Sequence, residues 1–474
     1  MTKRAGRPRD AETTGPQRMR EGRAERDVEI RPERIAGIRR REDAAFVERR
    51  PRSQALFERA RRSMPNGVPM SWMIELYDPM PVFVESGEGA TFTDVDGLRY
   101  FDTNVGDMST FCGLNPPAVV EAVSRQARRG MQYLLPVEDA IWLAEELTRR
   151  FRLPRWQFTL SATLANVEAI RLCRFATGRP FALMFEGKYH GHAEEWLVES
   201  KDGVRAPAYA GVSPSAGAQV RQVPFNDLSA LERALAPGDV ACVVTEPALT
   251  NAGVIQPDPG FHAALREMTR RRGTLLVIDE AHTLVSGPGG LTARWGLDPD
   301  IITLGKFIAG GVPLGAYGMT AGLAERFARP DPANVRATFA SGGTLFANAL
   351  SMAAARAAFE HVLTEGAYAR TAELGARLAD GIEERCRRHG LEWRAHRLFA
   401  RSGYCHGPVL PRNASEYHAT MRADLYHLMR LYFANRGVWE AIASAGPTVS
   451  IAATAADVEH YLGALDEFLG EITG

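Results

Sequence analysis

Asp279 and Lys306 are the two residues of this sequence whose types and positions point most clearly to chemistry. Asp279 follows the apolar run 275–278, and Lys306 follows the run 301–305. Polar residues that end buried strands are typical of a site at the carboxyl edge of a parallel sheet. A lysine amine can form a Schiff base with an aldehyde, and a carboxylate can keep a pyridine nitrogen protonated. The pair therefore favours the chemistry of pyridoxal 5'-phosphate (PLP).

The elements that must position this pair follow an alternating pattern. Strands that are apolar on both faces alternate with helices over a large central part of the chain. This pattern predicts an α/β fold with a mostly parallel, doubly wound sheet. The strands are predicted at 157–161, 181–185, 240–245, 275–278, 301–304 and 315–320, and the helices at 165–176 and 261–272.

The flanking segments predict a second, smaller α+β domain. Long helices are expected at 348–364 and from about 370 to 390, with short strands and a final helix at 456–470 after them. A strand and a hairpin at 83–97 are expected to join this domain. We divide the chain into a charged, disordered tail at 1–52, an N-terminal segment of the small domain at 53–110, the large PLP-binding domain at 111–347 and the C-terminal small domain at 348–474.

The charge pattern excludes a strong field around the whole protein. The chain has 57 basic and 57 acidic residues, so its formal net charge is zero and general binding to nucleic acid or membrane is not favoured. The segment 3–9, Lys-Arg-Ala-Gly-Arg-Pro-Arg, is similar to a minor-groove DNA-binding hook. The motif is short, and a solvated tail is the simpler interpretation.

The cysteines and the apolar runs indicate a cytoplasmic protein. Five cysteines are widely scattered and form no Cys-x-x-Cys pair, which favours a reducing compartment and no zinc site. No apolar stretch reaches the length of a membrane span. The N-terminus is rich in arginine but lacks the apolar region of a secretory signal.

Several further motifs occur in an order that resembles the class III aminotransferases of PLP fold type I. The glutamate-1-semialdehyde aminomutase-like branch is the most similar, and the likeness covers about residues 54–470. It implies the two-domain fold expected above, PLP as the cofactor and small-molecule substrates. The motifs are Leu-Ser-Ala-Thr at 160–163, Tyr-His-Gly at 189–191, Glu-Pro-x-x-x-Asn-x-Gly at 246–253, Asp-Glu-Ala-His-Thr at 279–283, Gly-Lys at 305–306 and Gly-Gly-Thr-x-x-x-Asn at 342–348.

The resemblance implies a role for each residue around the PLP ring. Lys306 is the Schiff-base lysine, and its freed amine moves a proton between the substrate and the cofactor. Asp279 raises the pKa of the ring nitrogen. Ala281 replaces the valine that packs on the ring in the family, and Tyr189 is expected to stack on the ring. Asn251 matches the residue that hydrogen-bonds the ring hydroxyl.

The start of the predicted helix near residue 161 resembles the phosphate-binding segment of the family. Backbone N–H groups and hydroxyls at a helix N-terminus suit a phosphate, and Ser161, Ala162 and Thr163 are the expected ligands. The segment departs from the family pattern at three positions, where Leu160, Ala162 and Leu164 replace asparagine, glycine and glutamate.

The remaining residues of the motifs complete the expected site. His190 belongs to the same motif as the stacking tyrosine and is placed with the cofactor-binding residues. Glu246 is expected to organise the substrate side. In the family, the threonine that matches Thr344 reaches the phosphate of the neighbouring subunit, so the resemblance implies a homodimer with shared active sites.

The residues expected to recognise the substrate differ from those of the family. The aminomutase branch has an arginine near the N-terminus, whereas the matching segment here is apolar and contains Trp72. Arg401 lies where relatives place an arginine, so it is a candidate for binding a substrate carboxylate. His282 is expected to orient its loop. These differences suggest a bulkier or less polar substrate than glutamate semialdehyde.

Four functions remain open. The leading hypothesis is an aminotransferase that moves an amino group from an amino acid or amine to a keto acid or aldehyde. The alternative is an aminomutase, which moves the amine within one molecule and needs the same catalytic residues. The altered phosphate segment allows a non-catalytic paralogue. A DNA-binding regulator is disfavoured, because a tail of about fifty charged residues is too short for a folded domain with its own core.

Overall fold

A seven-stranded sheet forms the centre of the computed structural model, which describes residues 30–201, 204–327, 338–440 and 446–474. The strand order is β4-β12-β11-β10-β9-β5-β8. All neighbours pair in parallel except β12, which is antiparallel to both β11 and β4. These strands are β4 (Arg155–Thr159), β5 (Phe181–Phe185), β8 (Val220–Val223), β9 (Val240–Thr245), β10 (Leu275–Asp279), β11 (Ile301–Leu304) and β12 (Gly315–Met319).

Both faces of this sheet are buried, which explains the continuous apolar runs in its strands. All six residues of β9 and all four residues of β11 are buried. Neighbouring residues contribute to opposite core layers: Ile301 packs in one layer and Ile302 in the other. The prediction of a mostly parallel, doubly wound α/β sheet is confirmed, although strand β8 was not predicted.

Helices pack on both faces of the sheet. Helix α5, which follows β4, packs on one face with Ala165, Ala169 and Ile170 in its core layer. The helices of this part are α3 (Pro117–Ala127), α4 (Glu138–Phe151), α5 (Ala162–Thr177), α6 (Leu228–Leu235), α7 (Phe261–Arg272), α8 (Gly290–Arg294) and α9 (Ala321–Ala324). A hairpin of β6 (Val198–Lys201) and β7 (Val204–Pro207) contacts strand β8.

The N-terminal and C-terminal segments share a second core. A four-stranded sheet has the order β1-β2-β3-β15, so the N-terminal strands pair with a strand near the C-terminus. Its strands are β1 (Val84–Glu88), β2 (Thr91–Asp94), β3 (Arg99–Asp102) and β15 (Val438–Trp439), with a separate hairpin of β13 (Arg394–Leu398) and β14 (Arg401–Cys405). The N-terminal and C-terminal segments contain the helices α1 (Pro32–Glu48), α2 (Pro51–Ala60), α10 (Ala349–Ala357), α11 (Glu365–Arg388), α12 (Ala414–Thr420), α13 (Ala423–Ala434) and α14 (Ala455–Thr473), not all of which belong to the second core.

The expectation of a disordered tail at 1–52 was wrong for its C-terminal part. Helix α1 covers most of 30–52 and buries Ile38 and Phe46. Arg50 is also buried, and its guanidinium donates to the hydroxyl of Tyr100 (2.9 Å) and to a backbone carbonyl oxygen. Helix α1 was not predicted from the sequence because it buries few apolar residues. Its buried charged side chains are compensated by hydrogen bonds instead. Residues 1–29, with the motif at 3–9, lie outside the described residues.

The proposed division into domains fits the second core but not every helix. Helix α10 packs against α3 and α4, so the start of the segment 348–474 lies with the large sheet. Helix α11 contributes Leu378 and Ile382 to the second core. The domain boundaries therefore stay a proposal.

All five cysteines are buried and free of disulfide bonds. Across the described ranges, no helix combines the length and the apolar character that a membrane span requires. The same part of the chain contains no group of three or more metal-binding side chains.

Candidate active site

Asp279 and Lys306 lie at the same edge of the sheet. Strands β10 and β11 are parallel neighbours, and Asp279 is opposite Thr303 in their register. Lys306 follows Thr303 by three residues and adopts a left-handed backbone with φ of +57°. The register and the turn after β11 bring the carboxylate and the lysine to one side of the sheet, as their positions in the sequence predicted.

Asp279 is buried and held in its ionised form by three donors. Its carboxylate accepts hydrogen bonds from the Asn166 side chain (2.8 Å), His190 Nδ1 (2.9 Å) and the backbone N–H of Ala281 (2.9 Å). Burial alone would raise the pKa of Asp279, but these donors, His190 first, hold that pKa below its usual value. A carboxylate that stays charged in the interior suits a cationic N–H partner.

Asn166 connects Asp279 to the neighbouring strand. Its side-chain oxygen accepts a hydrogen bond from the hydroxyl of Thr303 (2.7 Å), while its amide nitrogen donates to Asp279 and to the carbonyl oxygen of His190 (3.0 Å). The sequence analysis did not identify Asn166. A polar residue on the buried face of α5 was the available signal, because such residues must be hydrogen-bonded.

Lys306 makes an ion pair that the sequence analysis also missed. Its Nζ donates to the Asp107 carboxylate (2.6 Å) and to the Asp107 carbonyl oxygen (2.9 Å). The two side chains are 18% and 27% exposed, so the pair lies at a partly open surface. Asp107 lies in a loop, and no local pattern pointed to it.

The loop that carries Asp107 is held in an unusual backbone conformation. Val105, Asp107 and Met108 all have positive φ values, between +52° and +71°. The backbone N–H of Val105 donates to Asp102 (2.9 Å), and the N–H of Asp107 donates to the carbonyl oxygen of Asn104 (2.9 Å). Buried Val105 and Met108 fix the loop on the core, so the position of Asp107 is set by the fold.

The start of helix α5 has the features of a phosphate site. Ser161 is the N-cap, and its hydroxyl accepts from the N–H of Leu164 (3.3 Å). The hydroxyl of Thr163 accepts from the N–H of His192 (3.2 Å). Ala162 begins the helix without a positive φ, so the family's glycine is not needed at this position. The free N–H groups and the helix dipole at this terminus suit a phosphate.

Two glycines allow the backbone to approach this terminus closely. A Cβ atom on Gly305 would lie 2.7 Å from the N and Cβ atoms of Ala162. A Cβ atom on Gly191 would clash with the hydroxyl oxygen of Thr163. The residue before Lys306 and the residue after His190 therefore pack directly against the phosphate segment.

The residues that were predicted to face the PLP ring have environments that suit the cofactor. Tyr189 is 39% exposed beside the buried His190, as a stacking residue requires. The Nε2 atom of His190 is buried and has no partner among the described residues. An anionic Asp279, a reachable Lys306 amine and an open helix N-terminus match the ring nitrogen, the aldehyde and the phosphate of the cofactor. The residues present therefore fit PLP.

Glu246 lies next to this group in a protonated form. Burial raises the pKa of Glu246 to about 8, although the hydroxyl of Thr250 donates to its carboxylate. The negative charge of Asp279 contributes to this rise. Asn251, predicted to hydrogen-bond the ring hydroxyl, is exposed in the following turn. Their predicted roles stay predictions.

Arg401 is buried rather than open to a substrate. Its guanidinium donates to Nδ1 of His282 (2.8 Å) and to the carbonyl oxygen of Thr250 (2.9 Å). Burial lowers the pKa of Arg401 to about 10, and the charges of Asp107 and Glu246 oppose this shift. Burial, with the charges of Lys306 and Arg401, places the pKa of His282 well below its usual value. In this geometry Arg401 anchors a loop, and its role as a carboxylate ligand stays a prediction.

The two outermost predicted residues are exposed. Trp72 lies on a short 3-10 segment, Ser71–Leu76, and is 40% exposed. Thr344 is exposed, and its carbonyl oxygen accepts a hydrogen bond from the Gln132 side chain. The structure shows no contact between either side chain and the Asp279 cluster among the described residues.

Comparison with known proteins agrees with this geometry. The family model described as "Aminotransferase class-III" matches residues 73–391. A protein of Chloroflexus aggregans named glutamate-1-semialdehyde 2,1-aminomutase is 34% identical over 449 residues, which cover 90% of this chain and 99% of that protein.

Solved structures give the same result. A glutamate-1-semialdehyde aminomutase from Pseudomonas aeruginosa PAO1 superposes with a TM-score of 0.89 at 41% identity, covering 94% of this chain and 99% of that one. A lysine-to-alanine variant of that protein has been solved in complex with PMP. An omega-transaminase from Sphaerobacter thermophilus has a TM-score of 0.82 at 30% identity, with 89% and 98% of the two chains covered.

Proposed function

The chain belongs to the class III aminotransferases, which are PLP-dependent enzymes, and from this premise we propose that Lys306 and Asp279 are its catalytic pair. The observation that carries the proposal is the shared edge of β10 and β11, where both side chains lie. When bound, PLP supplies an electron-withdrawing ring that weakens the bonds to the carbon bearing the amine.

Each protein group has a distinct task in this proposal. Asp279, kept charged by His190 and Asn166, would accept the N–H of the ring nitrogen and so maintain its positive charge. The Lys306 amine would carry the proton to and from the reacting carbon. Tyr189 would cover the ring. The N–H groups at the start of α5, with Ser161 and Thr163, would hold the phosphate.

We propose intramolecular amine transfer, as in an aminomutase, as the reaction. This is the second of the functions that the sequence left open, and the names of the relatives described above support it over the leading hypothesis. Transfer between two molecules is the second candidate. The likeness to an omega-transaminase and the buried position of Arg401 support it, because a glutamate-like substrate needs a carboxylate-binding cation.

The cofactor assignment is tested by absorbance spectroscopy of the PLP-loaded protein. We expect a visible absorbance band from the lysine-bound cofactor that amino donors remove. Lys306→Arg is the matched control, because it keeps the positive charge but cannot form a Schiff base. A band of equal intensity in that variant would contradict the role of Lys306.

The two reaction types differ in what they require. An aminomutase converts one amino-carbonyl compound into its isomer without a second substrate. A transaminase needs an added amino donor or keto acid and releases a second product. Product analysis by mass spectrometry with and without an added keto acid separates them, and strict dependence on the keto acid would rule out the aminomutase.

We also propose that the enzyme is a homodimer. Met131, Leu134 and Leu135 are 58–71% exposed and form an apolar surface with Leu345. Hydrogen bonds from Gln132 to Thr344 and from Leu350 to Met131 join the two segments. An apolar surface of this kind is typical of a protein interface. Thr344 lies within it, which supports its predicted role at the phosphate of the partner.

Cytoplasmic location and independence of nucleic acid complete the proposal. Five free, buried cysteines support a reducing compartment. A formal net charge of zero supports small-molecule substrates over nucleic acid as partners.

A further inference from the structure

We propose that Asp107 binds a second ammonium group of the substrate, so that the enzyme prefers an amine that carries another cationic group. The inference rests on the proposed function, because it concerns the substrate of the same site. It assigns a binding role to a residue that the motifs do not include.

The first observation is the position of the Asp107 carboxylate. It lies 2.6 Å from Lys306 Nζ, the atom that the proposed reaction displaces. With PLP bound, its aldehyde carbon would engage Nζ, and Lys306 would act as the base once a substrate amine had replaced it there. While Nζ is engaged, Asp107 would face an incoming substrate without its lysine partner. A negative charge in that position attracts a cation.

The second observation concerns the other cations of the site. Arg401 is wholly buried, and its guanidinium is bound to His282 and to the carbonyl oxygen of Thr250. The charge of Asp107 opposes the shift in the pKa of Arg401, and the Asp107 carboxylate accepts a hydrogen bond from Lys306 Nζ. Asp107, the partly exposed partner of Lys306, offers an anion, and the exposed Tyr189, which lies within electrostatic reach of Asp107, offers an aromatic ring. This combination suits a cationic substrate better than a dicarboxylate.

The third observation is an unused acceptor in the same turn. The side-chain oxygen of Asn104 is buried and has no hydrogen-bond partner among the described residues. Asn104 precedes Asp107 by three residues, and the backbone N–H of Asp107 closes the turn onto the Asn104 carbonyl oxygen. An ammonium group has three N–H donors and no acceptor, so a turn rich in acceptors matches it.

The loop also holds these acceptors in place before the substrate arrives. The successive positive φ values of Val105, Asp107 and Met108 and the buried side chains of Val105, Met108 and Phe111 fix the turn. A fixed carboxylate loses little conformational entropy on binding, which favours affinity and selectivity.

The test compares three matched series of amino donors with PLP-loaded protein. The series are diaminoalkanes of about two to five carbons, alkylamines of the same lengths and ω-amino acids of the same lengths. The measured quantity is the rate at which each donor removes the absorbance of the lysine-bound cofactor, divided by its concentration. We expect the best diamine to react about tenfold or more faster than its matched alkylamine, and the amino acid to react slowest.

Asp107→Asn keeps the shape of the side chain and removes its charge. We expect the ratio between diamine and alkylamine to fall to about one in this variant. Glu121→Gln removes an exposed carboxylate from α3 and is the matched control, in which the ratio should stay as in the wild type. A ratio that is unchanged in Asp107→Asn, or a wild type that prefers the amino acid, would overturn the inference.

A binding measurement without turnover completes the test. In Lys306→Ala without cofactor, Asp107 lacks its lysine partner and is free to bind an added ammonium group. We expect a diamine to raise the melting temperature of this variant more than the matched alkylamine does, and expect the difference to vanish in the double variant with Asp107→Asn. Equal effects of both amines in Lys306→Ala count against the inference.

The outcomes separate this inference from the proposed function. If no amine removes the absorbance of the lysine-bound cofactor, both fail. If amines remove it with no preference for a second ammonium group, the proposed function stands and the role of Asp107 is wrong.

Discussion

At the scale of single residues, the site is organised around the charge of Asp279. Its buried carboxylate has three donors, and those donors are themselves tied to Thr303 and to the backbone of the tyrosine-histidine motif. The motif residues Asp279 and Lys306 were predictable from their type and position after apolar runs. Asn166 and Asp107 were not, because each acts through a long-range contact that no local pattern encodes.

Removing His190 should weaken the function of Asp279. His190→Ala deletes the largest contribution that keeps the pKa of Asp279 low, so we expect PLP affinity and kcat each to fall about tenfold or more. His190→Asn can place an N–H near the position of Nδ1 and should restore part of the loss. PLP binding is measured by fluorescence quenching, and equal losses in both variants would show that His190 only fills space.

Glu246 should make stability depend on pH. The ordinary pKa of this carboxyl, 4.5, rises to about 8 because of burial, so the folded protein binds the proton more tightly than the unfolded chain. This contribution is complete below the ordinary value and is lost as the pH rises through about 8. We expect cofactor-free Glu246→Gln, which stays uncharged, to gain on the order of 1–3 kcal/mol relative to wild type between about pH 6 and 9. Parallel profiles of melting temperature against pH in the two proteins would refute this.

At the scale of elements, the close packing of α5 against the turn after β11 connects the proposed phosphate segment to Lys306, the proposed catalytic lysine. The strands and helices of this region were predictable because burial on both faces produces long apolar runs. Helix α1 and the contact between Gly305 and Ala162 were not predictable. Helix α1 depends on buried charged residues, such as Arg50, whose charge is compensated by hydrogen bonds. The contact between Gly305 and Ala162 depends on how two elements that are distant in the sequence pack together.

A side chain at Gly305 should therefore disturb both the proposed phosphate segment and the position of Lys306. The added Cβ of Gly305→Ala would lie 2.7 Å from Ala162, and the helix terminus or the lysine turn must move. We expect a loss of about 1–3 kcal/mol in stability and weaker PLP binding, measured by thermal unfolding with and without PLP. Gly322→Ala on α9 is the matched control, since a Cβ there meets no atom within 4 Å.

At the scale of the whole molecule, the exposed apolar surface near Thr344 is the surface through which we propose that two chains pair. Leu134→Glu with Leu135→Glu places two charges in that surface, where each native side chain is about 70% exposed. We expect monomers in sedimentation and a large loss of activity, because each proposed site needs the partner. Val409 is equally exposed elsewhere, so Val409→Glu should remain dimeric. A dimer that persists in the double variant would place the interface on another surface.

The pairing of β3 with β15 has a consequence for the order in which the chain is made. Strand β3 ends at Asp102, while its partner begins at Val438, and Arg50 donates to the side chain of Asn435 (3.2 Å). The first hundred residues emerge from the ribosome long before the segment that completes their sheet and their buried charge network. At ordinary rates of synthesis this delay is roughly 20 to 70 seconds. Throughout that interval the N-terminal helices and strands lack their partner segment and are accessible to chaperones. The large sheet can form before that segment is made.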